Sequence, residues 1–135
     1  MTDRVDKAKR SSMMAAVRSK DTKPELVVRS LIFALGFRYR LHHKGLPGTP
    51  DLVFTRMRKV VFVHGCFWHR HPGCWMASMP QTGVLFWQKK FEETVLRDGR
   101  VLKELKASGW KALIIWQCEL RDIERVARKL KAFLT

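Results

Sequence analysis

A group of cysteine and histidine residues lies near the middle of the chain. The sequence has three cysteines, Cys66, Cys74 and Cys118, and His71 lies between the first two. Two thiolates and an imidazole at this loop spacing are typical of a zinc knuckle, in which four protein ligands surround the ion as a tetrahedron. Cys118 follows a predicted strand and is either the fourth ligand or a small buried apolar side chain. We therefore predict a structural zinc site, because four protein ligands leave no open position for water.

Two further histidines, His64 and His69, fall in the same stretch and are not needed for this zinc site. Asp51 begins one strand of a predicted hairpin and His64 ends the other, so the two residues should meet at one edge of a sheet. A carboxylate at a strand end is typical of nucleases that hold Mg²⁺ against a scissile phosphate, because a hard cation prefers oxygen ligands. These residues are therefore candidates for phosphodiester hydrolysis.

Glu25 has two interpretations. It is the third residue after Thr22, and the pair has the signature of a capping box at the start of a helix. A glutamate at this position can also orient a catalytic histidine or support the metal. The two roles are compatible only if capping is not the sole function of the carboxylate.

Phe67 and Trp68 form a bulky aromatic dipeptide inside a loop, where there is little core for them to fill. One interpretation is that they pack over the zinc site. The other is that they enter a DNA base stack as a wedge, as apolar side chains of DNA-kinking proteins do. Met14, in a basic N-terminal segment, is a candidate for the same role.

The elements that position these residues are predicted from the periodicity of the apolar residues. The predicted order is a helix over 6–19, a helix over 23–35, strands over 37–41, 51–54 and 59–63, a helix over 84–107, a strand over 112–116 and a helix over 123–133. Residues 64–81 contain Gly, Pro, Cys and His and form an irregular loop. This order predicts an α/β fold, with a mixed β-sheet flanked by helices.

Length and charge limit the class of protein. The chain has 135 residues, 46% of them hydrophobic, which is enough for one domain with its own core and excludes a disordered basic tail. No apolar run approaches the roughly 20 residues of a membrane span. The first twenty residues lack the apolar segment of a signal peptide, which favours a cytoplasmic location.

A net charge of +15, with Lys and Arg in excess in both halves, indicates a nucleic-acid partner.

Several motifs together resemble those of the very short patch repair endonucleases of bacteria, the Vsr family. The string His64-Gly65-Cys66-Phe67-Trp68-His69 carries most of the resemblance, which extends from about Asp6 to Leu120. Supporting motifs are Asp6-Lys7, Arg10-Ser11, Met14, Asp21-Thr22 with Glu25, Leu46-Pro47-Gly48, Pro50-Asp51, Phe86-Trp87, Arg97-Asp98, Gly109-Trp110 and Trp116 with Cys118.

The resemblance implies a restriction-endonuclease-like fold and an enzyme that nicks DNA 5′ to the T of T·G mismatches, such as those left when 5-methylcytosine is deaminated. It implies that Asp51 and the backbone carbonyl of Val63 bind Mg²⁺. It implies that His64, His69 and Glu25 act around the scissile phosphate. It assigns the zinc to Cys66, His71, Cys74 and Cys118, and recognition within the base stack to Met14, Phe67, Trp68 and Trp87.

We therefore expect a monomeric endonuclease with a single domain over 1–135, a DNA-contacting arm over 1–20 and a zinc and intercalation loop over 64–81. The expected cofactors are catalytic Mg²⁺ and structural Zn²⁺. The expected partners are double-stranded DNA with a T·G mismatch, mismatch-repair proteins and a DNA polymerase. We expect no association with a membrane. The expected location is the bacterial cytoplasm, at the nucleoid when the protein is bound to DNA. The alternatives are a restriction-type or junction nuclease with another specificity, and a non-catalytic zinc-stabilised DNA-binding module.

Overall fold

A computed structural model describes residues 21–41, 43 and 45–135 of the chain. The helix predicted over 6–19, the arm predicted over 1–20 and Met14 lie outside these residues. Within them the predicted order of helices and strands is confirmed, with one addition, a short 3-10 helix after the last strand.

Helix α1 (Lys23–Ala34) begins where the sequence predicts. Thr22 is the N-cap, since its Oγ1 accepts a hydrogen bond from the backbone N–H of Glu25 at 3.4 Å, and Pro24 lies in the first turn. The helix stops at Gly36, whose positive φ of +94° is the left-handed conformation typical of a residue that follows a helix. Both the predicted start and the predicted stop are confirmed.

Four strands form one mixed sheet in the order β1-β2-β3-β4. The strands are β1 (Arg40–Leu41), β2 (Leu52–Phe54), β3 (Lys59–His64) and β4 (Lys111–Trp116). The first two pairings are antiparallel, which confirms the predicted β2–β3 hairpin, and β3 pairs with β4 in parallel. Helix α2 (Val84–Ala107) makes the long crossover that a parallel pair requires. The 3-10 helix (Gln117–Arg121) and α3 (Ile123–Leu134) follow β4.

Helices cover both faces of the sheet, because alternate residues of β3 point to opposite sides. Val61 and Val63 belong to a core cluster with residues of α1 and α3, whereas Val60 and Phe62 belong to a second cluster with Leu105 of α2. The fold is therefore α/β with helices on both sides, as predicted. None of the described helices combines the length and apolarity that a membrane span requires.

Candidate active site and cysteine–histidine cluster

Asp51 lies at the edge of the sheet where β2 begins and β3 ends. Its Oδ2 accepts a hydrogen bond from the backbone N–H of Val63 at 2.7 Å, which places the carboxylate beside the last residues of β3. The preceding loop is fixed against α2 at Gly48, where φ is +74° and a Cβ would lie 2.5 Å from Cγ1 of Val101. Only glycine fits both the conformation and this close approach. The predicted meeting of Asp51 with the end of β3 is confirmed.

The carboxyl group of Asp51 is held in an environment that disfavours its charge. Its pKa is raised to about 7, chiefly by burial and in smaller part by the neighbouring Glu25, while the Val63 N–H and His69 act in the opposite direction. Glu25 lies within hydrogen-bonding reach of Asp51. Two carboxyl groups thus share one buried corner of the molecule. The negative charge of two adjacent carboxyl groups can be neutralised by a shared proton or by a bound cation.

Glu25 does more than cap its helix. Its side chain is only 3% exposed, and its Oε2 accepts hydrogen bonds from the backbone N–H of Asp21 at 2.9 Å and from Nη2 of Arg29 at 3.2 Å. Arg29 also binds Oδ1 of Asp21 at 2.6 Å. The carboxylate therefore stabilises the chain before the N-cap and at the same time faces Asp51.

The two spare histidines are stacked on each other. The rings of His64 and His69 are nearly parallel, with an interplanar angle of 8° and centroids 3.8 Å apart. His64 is buried, and burial together with the charge of His69 lowers its pKa to about 4, so its imidazole is neutral at pH 7. Within the described part of the chain, Nδ1 of His64 is buried without a hydrogen-bond partner.

Asp98 completes this group, and we did not predict it as a site residue. Its Oδ2 lies 2.7 Å from Nδ1 of His69, and the ligand atoms of His64, His69 and Asp98 all lie within 4.8 Å of one another. A carboxylate bound to one ring nitrogen fixes the orientation of an imidazole and leaves the other nitrogen for chemistry. The sequence contained the Arg97-Asp98 motif, but a charged pair in a helix rich in charges is also typical of a solvent-exposed face.

The four proposed zinc ligands converge. The ligand atoms of Cys66, His71, Cys74 and Cys118 lie within 4.8 Å of one another. Sγ of Cys118 is 3.4 Å from Nδ1 of His71, and the backbone N–H of Cys118 donates to Sγ of Cys66 at 3.4 Å. Three thiols and one imidazole match the donor set and the coordination number of structural zinc sites. Burial raises the pKa of the Cys66 thiol to about 12, so a cation is needed to hold it as a thiolate.

The aromatic dipeptide packs on α2. The ring centroid of Phe67 is 5.8 Å from that of Trp87 and 5.3 Å from that of Phe91, and Trp68 lies 5.8 Å from Trp87. Arg70 stacks on Phe91 at 3.9 Å. Trp87 is 9% exposed, so it supports the dipeptide from within. Phe67 and Trp68 are half-buried.

Several known proteins are similar to this chain in sequence. The family profile described as DNA mismatch endonuclease Vsr matches residues 2–75. The chain is 47% identical over 134 residues to the type II nicking enzyme V.XorIIP of Xanthomonas oryzae pv. oryzae, a match that covers 99% of this chain and 98% of that protein. It is 41% identical over 126 residues to the DNA mismatch endonuclease Vsr of Escherichia coli K12, covering 93% and 80% of the two chains.

A solved structure shares the fold. The catalytic domain of the homing endonuclease I-Bth0305I superposes with a TM-score of 0.57 at 23% sequence identity, over 84% of this chain and 94% of that domain. The sheet and its flanking helices are thus the scaffold of a known nuclease domain.

Proposed function

The chain belongs to the Vsr family of DNA mismatch endonucleases and is a DNA-nicking enzyme, and from this premise we propose that it cuts one strand 5′ to the T of T·G mismatches. This cut would begin very short patch repair of deaminated 5-methylcytosine. The observation that supports the proposal best is the convergence of Asp51, Glu25, His64 and His69 at one edge of the sheet. The non-catalytic DNA-binding module is excluded by the family.

We propose Asp51 and the backbone carbonyl of Val63 as the Mg²⁺ ligands, with Glu25 in support. The chemistry of the donor set fits: two adjacent carboxyl groups, one with its pKa raised to about 7, form a buried oxygen-rich corner whose negative charge a hard cation compensates. Mg²⁺ held there would neutralise the charge that develops on the scissile phosphate.

We propose that His69 is the general base. Its Nδ1 is bound by Asp98, which holds the ring in one orientation and leaves the other ring nitrogen for proton transfer. His64, buried and neutral, supports the ring of His69 by stacking. The proposed base is thus placed between the Asp98 carboxylate, which orients its ring, and the His64 ring stacked on it.

The cysteine–histidine cluster and the aromatic dipeptide belong to the same loop, and we propose that they have separate tasks. Cys66, His71, Cys74 and Cys118 would hold Zn²⁺, which would fasten the loop to the end of β4. Phe67 and Trp68, with Met14 and supported by Trp87, would enter the base stack beside the mismatch, where unstacking costs less than in sound duplex.

We further propose that the chain acts as a monomer on double-stranded DNA, as one domain with a DNA-contacting arm over 1–20 and a functional loop over 64–81. Mismatch-repair proteins and a DNA polymerase would complete the repair, in the bacterial cytoplasm at the nucleoid. The relatives named as type II nicking enzymes leave a second candidate, a nicking enzyme with a different preferred mismatch or flanking sequence.

The test is to map nicks on end-labelled duplexes that carry each mismatch, or a matched T·A pair, in several contexts, with and without Mg²⁺. We expect one nick, on the T strand 5′ to the mismatched T, and only with Mg²⁺. Asp51→Asn should abolish the nick and retain mismatch binding, and His69→Ala should slow the nick about 10²- to 10⁴-fold.

Glu124→Gln, which removes an exposed negative charge on α3, is the matched control and should nick normally. Equal cutting of the T·A duplex, or normal nicking by Asp51→Asn, would contradict the proposal. Cutting of another mismatch in place of T·G would support the second candidate.

A further inference from the structure

Trp116 lies directly beside His64, the ring on which the proposed general base His69 is stacked. It is the last residue of β4, and in the parallel register it is the partner of His64, the last residue of β3. Paired residues of neighbouring strands point to the same side of a sheet. The indole accordingly meets the His64 ring nearly at right angles, at 78°, with centroids 5.2 Å apart.

The same indole also contacts the cysteine–histidine cluster. The ring of His71 stacks on it with an interplanar angle of 12° and centroids 4.1 Å apart. The backbone N–H of Trp116 donates to Oε1 of Glu119 at 2.9 Å, and Oε2 of Glu119 accepts from Lys129 at 2.9 Å, so the end of β4 is fixed. Trp116 therefore has His71, a zinc-ligand candidate, on one side and His64 of the proposed nuclease site on the other.

His64 depends on packing for its orientation. A buried histidine is usually aligned by a hydrogen bond to the ring nitrogen that is not used in chemistry. Within the described residues, Nδ1 of His64 has no such partner. Its ring is located by the stacked His69, by the tilted ring of Phe62 at 5.7 Å and by Trp116. Of these three, Trp116 is the ring that also contacts the cluster.

We propose that Trp116 is a positioning residue that sets the orientation of the His64 imidazole according to the arrangement of the cysteine–histidine cluster. The cluster then has a second task besides fastening its loop: through a single indole it places His64, and with it the stacked general base His69. The inference rests on the proposed function, because it takes His64 as part of the nuclease site.

The test compares Trp116→Leu and Trp116→Phe with the wild type. Trp110→Leu is the matched control, because Trp110 lies next to the opposite end of β4 and packs against the Leu105 cluster. Four quantities are measured on each protein: zinc per chain by atomic absorption, affinity for T·G duplex, single-turnover nicking rate, and the ¹H–¹³C signal of the His64 ring. The His64 signal is assigned with His64→Gln, and the His43 signal is the internal reference.

We expect Trp116→Leu to keep about one zinc per chain and a duplex affinity within about twofold of wild type. Its nicking rate should fall about 10- to 100-fold, the cost of a misplaced catalytic group. The His64 signal should move while that of His43 does not. Trp116→Phe, which retains an aromatic ring for His71 and His64, should recover most of the rate, and Trp110→Leu should leave the His64 signal unchanged.

A wild-type rate together with an unmoved His64 signal in Trp116→Leu would overturn the proposal. Loss of zinc from Trp116→Leu would also overturn the proposal, because Trp116 would then be needed for the cysteine–histidine cluster to form, not for the orientation of His64. If Trp116→Leu does not fold, exchange of zinc for Cd²⁺ in the wild type decides: the longer metal–sulfur bonds should move the His64 signal, and an unmoved signal would overturn the proposal. A wild type that nicks no duplex would refute the proposed function, whereas the zinc and ring-signal measurements would still test the coupling.

Discussion

At the scale of single residues, the carboxyl group of Asp51 is the proposed Mg²⁺ ligand, and a proton would compete with the cation for it. Burial and the adjacent Glu25 raise its pKa to about 7 in the absence of metal. Metal ligands must be deprotonated to bind, so a proton on Asp51 opposes Mg²⁺. Nicking by this site should therefore depend on pH and on Mg²⁺ concentration together.

We predict that the Mg²⁺ concentration for half-maximal nicking falls about tenfold for each pH unit between pH 5.5 and 7 and levels off above about pH 7. The sign follows from the raised pKa, because Asp51 is protonated below it and ionised above it. Mg²⁺ titrations of the T·G nicking rate at several pH values measure this directly.

Glu25→Gln provides the control for this pH dependence. It removes the neighbouring charge that raises the pKa of Asp51, so the break in the pH dependence should move to a lower pH. A half-maximal concentration that is the same at pH 6 and pH 8 would rule out Asp51 as the titrating Mg²⁺ ligand.

At the scale of single residues, the sequence predicts contacts that strand pairing imposes. Asp51 reaches the end of β3, where it binds the backbone N–H of Val63, because a hairpin brings the start of β2 to that end. Asp98 could not be predicted in the same way, because its contact depends on which face of α2 is turned toward the sheet. That choice is made by tertiary packing and leaves no local signal in a helix with many charged residues.

At the scale of elements, the loop over 65–83 and helix α2 form one aromatic surface. Phe67 is set among Trp68, Trp87 and Phe91, and the guanidinium of Arg70 binds the backbone carbonyls of Phe67, Ala77 and Ser78. Among the residues that the structure describes, the ring of Trp68 contacts two others, those of Phe67 and Trp87. Phe67 therefore has more ring contacts than Trp68 in the structure, although the sequence alone does not distinguish the two residues.

We predict that Trp68→Ala reduces the discrimination of T·G from T·A duplex more than Phe67→Ala does. Phe67→Ala should instead lower the stability more, by roughly 1–3 kcal/mol, less than the loss for a fully buried phenylalanine. Binding assays on the two duplexes and thermal unfolding of both variants separate the two effects. Unchanged discrimination in both variants would assign the dipeptide to the packing of α2 alone.

The boundaries of the elements were predictable where local signals agreed. Helix α2 spans the residues predicted for it, because a continuous helical repeat ends at Gly109, a residue with φ of +83°. The strand predicted over 37–41 is reduced to Arg40–Leu41. Its partner β2 has three residues, so pairing is limited to Leu52 and Val53, and Phe37 and Tyr39 pack against the core outside the ladder.

At the scale of the whole molecule, the net charge of +15 supplies affinity for any duplex, and its arrangement decides which basic residues contact the cut site. Arg97 is exposed, and its charge acts on the pKa of His64, which places it near the proposed scissile phosphate. Lys111 is exposed at the opposite end of β4. The two residues therefore form a matched pair for a test.

We predict that Arg97→Ala weakens binding to T·G and T·A duplexes by the same factor. It should also reduce the slope of log K against log salt by about 0.9, the value for one lost phosphate contact. Lys111→Ala should change both quantities less. Affinities measured between low and moderate salt provide the comparison. A loss confined to the T·G duplex would show that Arg97 reads the mismatch itself.

The position of Cys118 and Trp116 late in the chain has a consequence for synthesis. The ribosome delivers Glu25, Asp51 and His64 early, but the ring beside His64 and the last thiol of the cluster emerge only after α2 and β4. Chains are made at about 5–20 residues per second, and domains fold as units. A nascent or prematurely terminated chain thus carries the acidic and imidazole groups without the parts that align them. We expect its nuclease activity to be withheld until β4 and Cys118 have been translated, which would spare DNA from cleavage by unfinished copies.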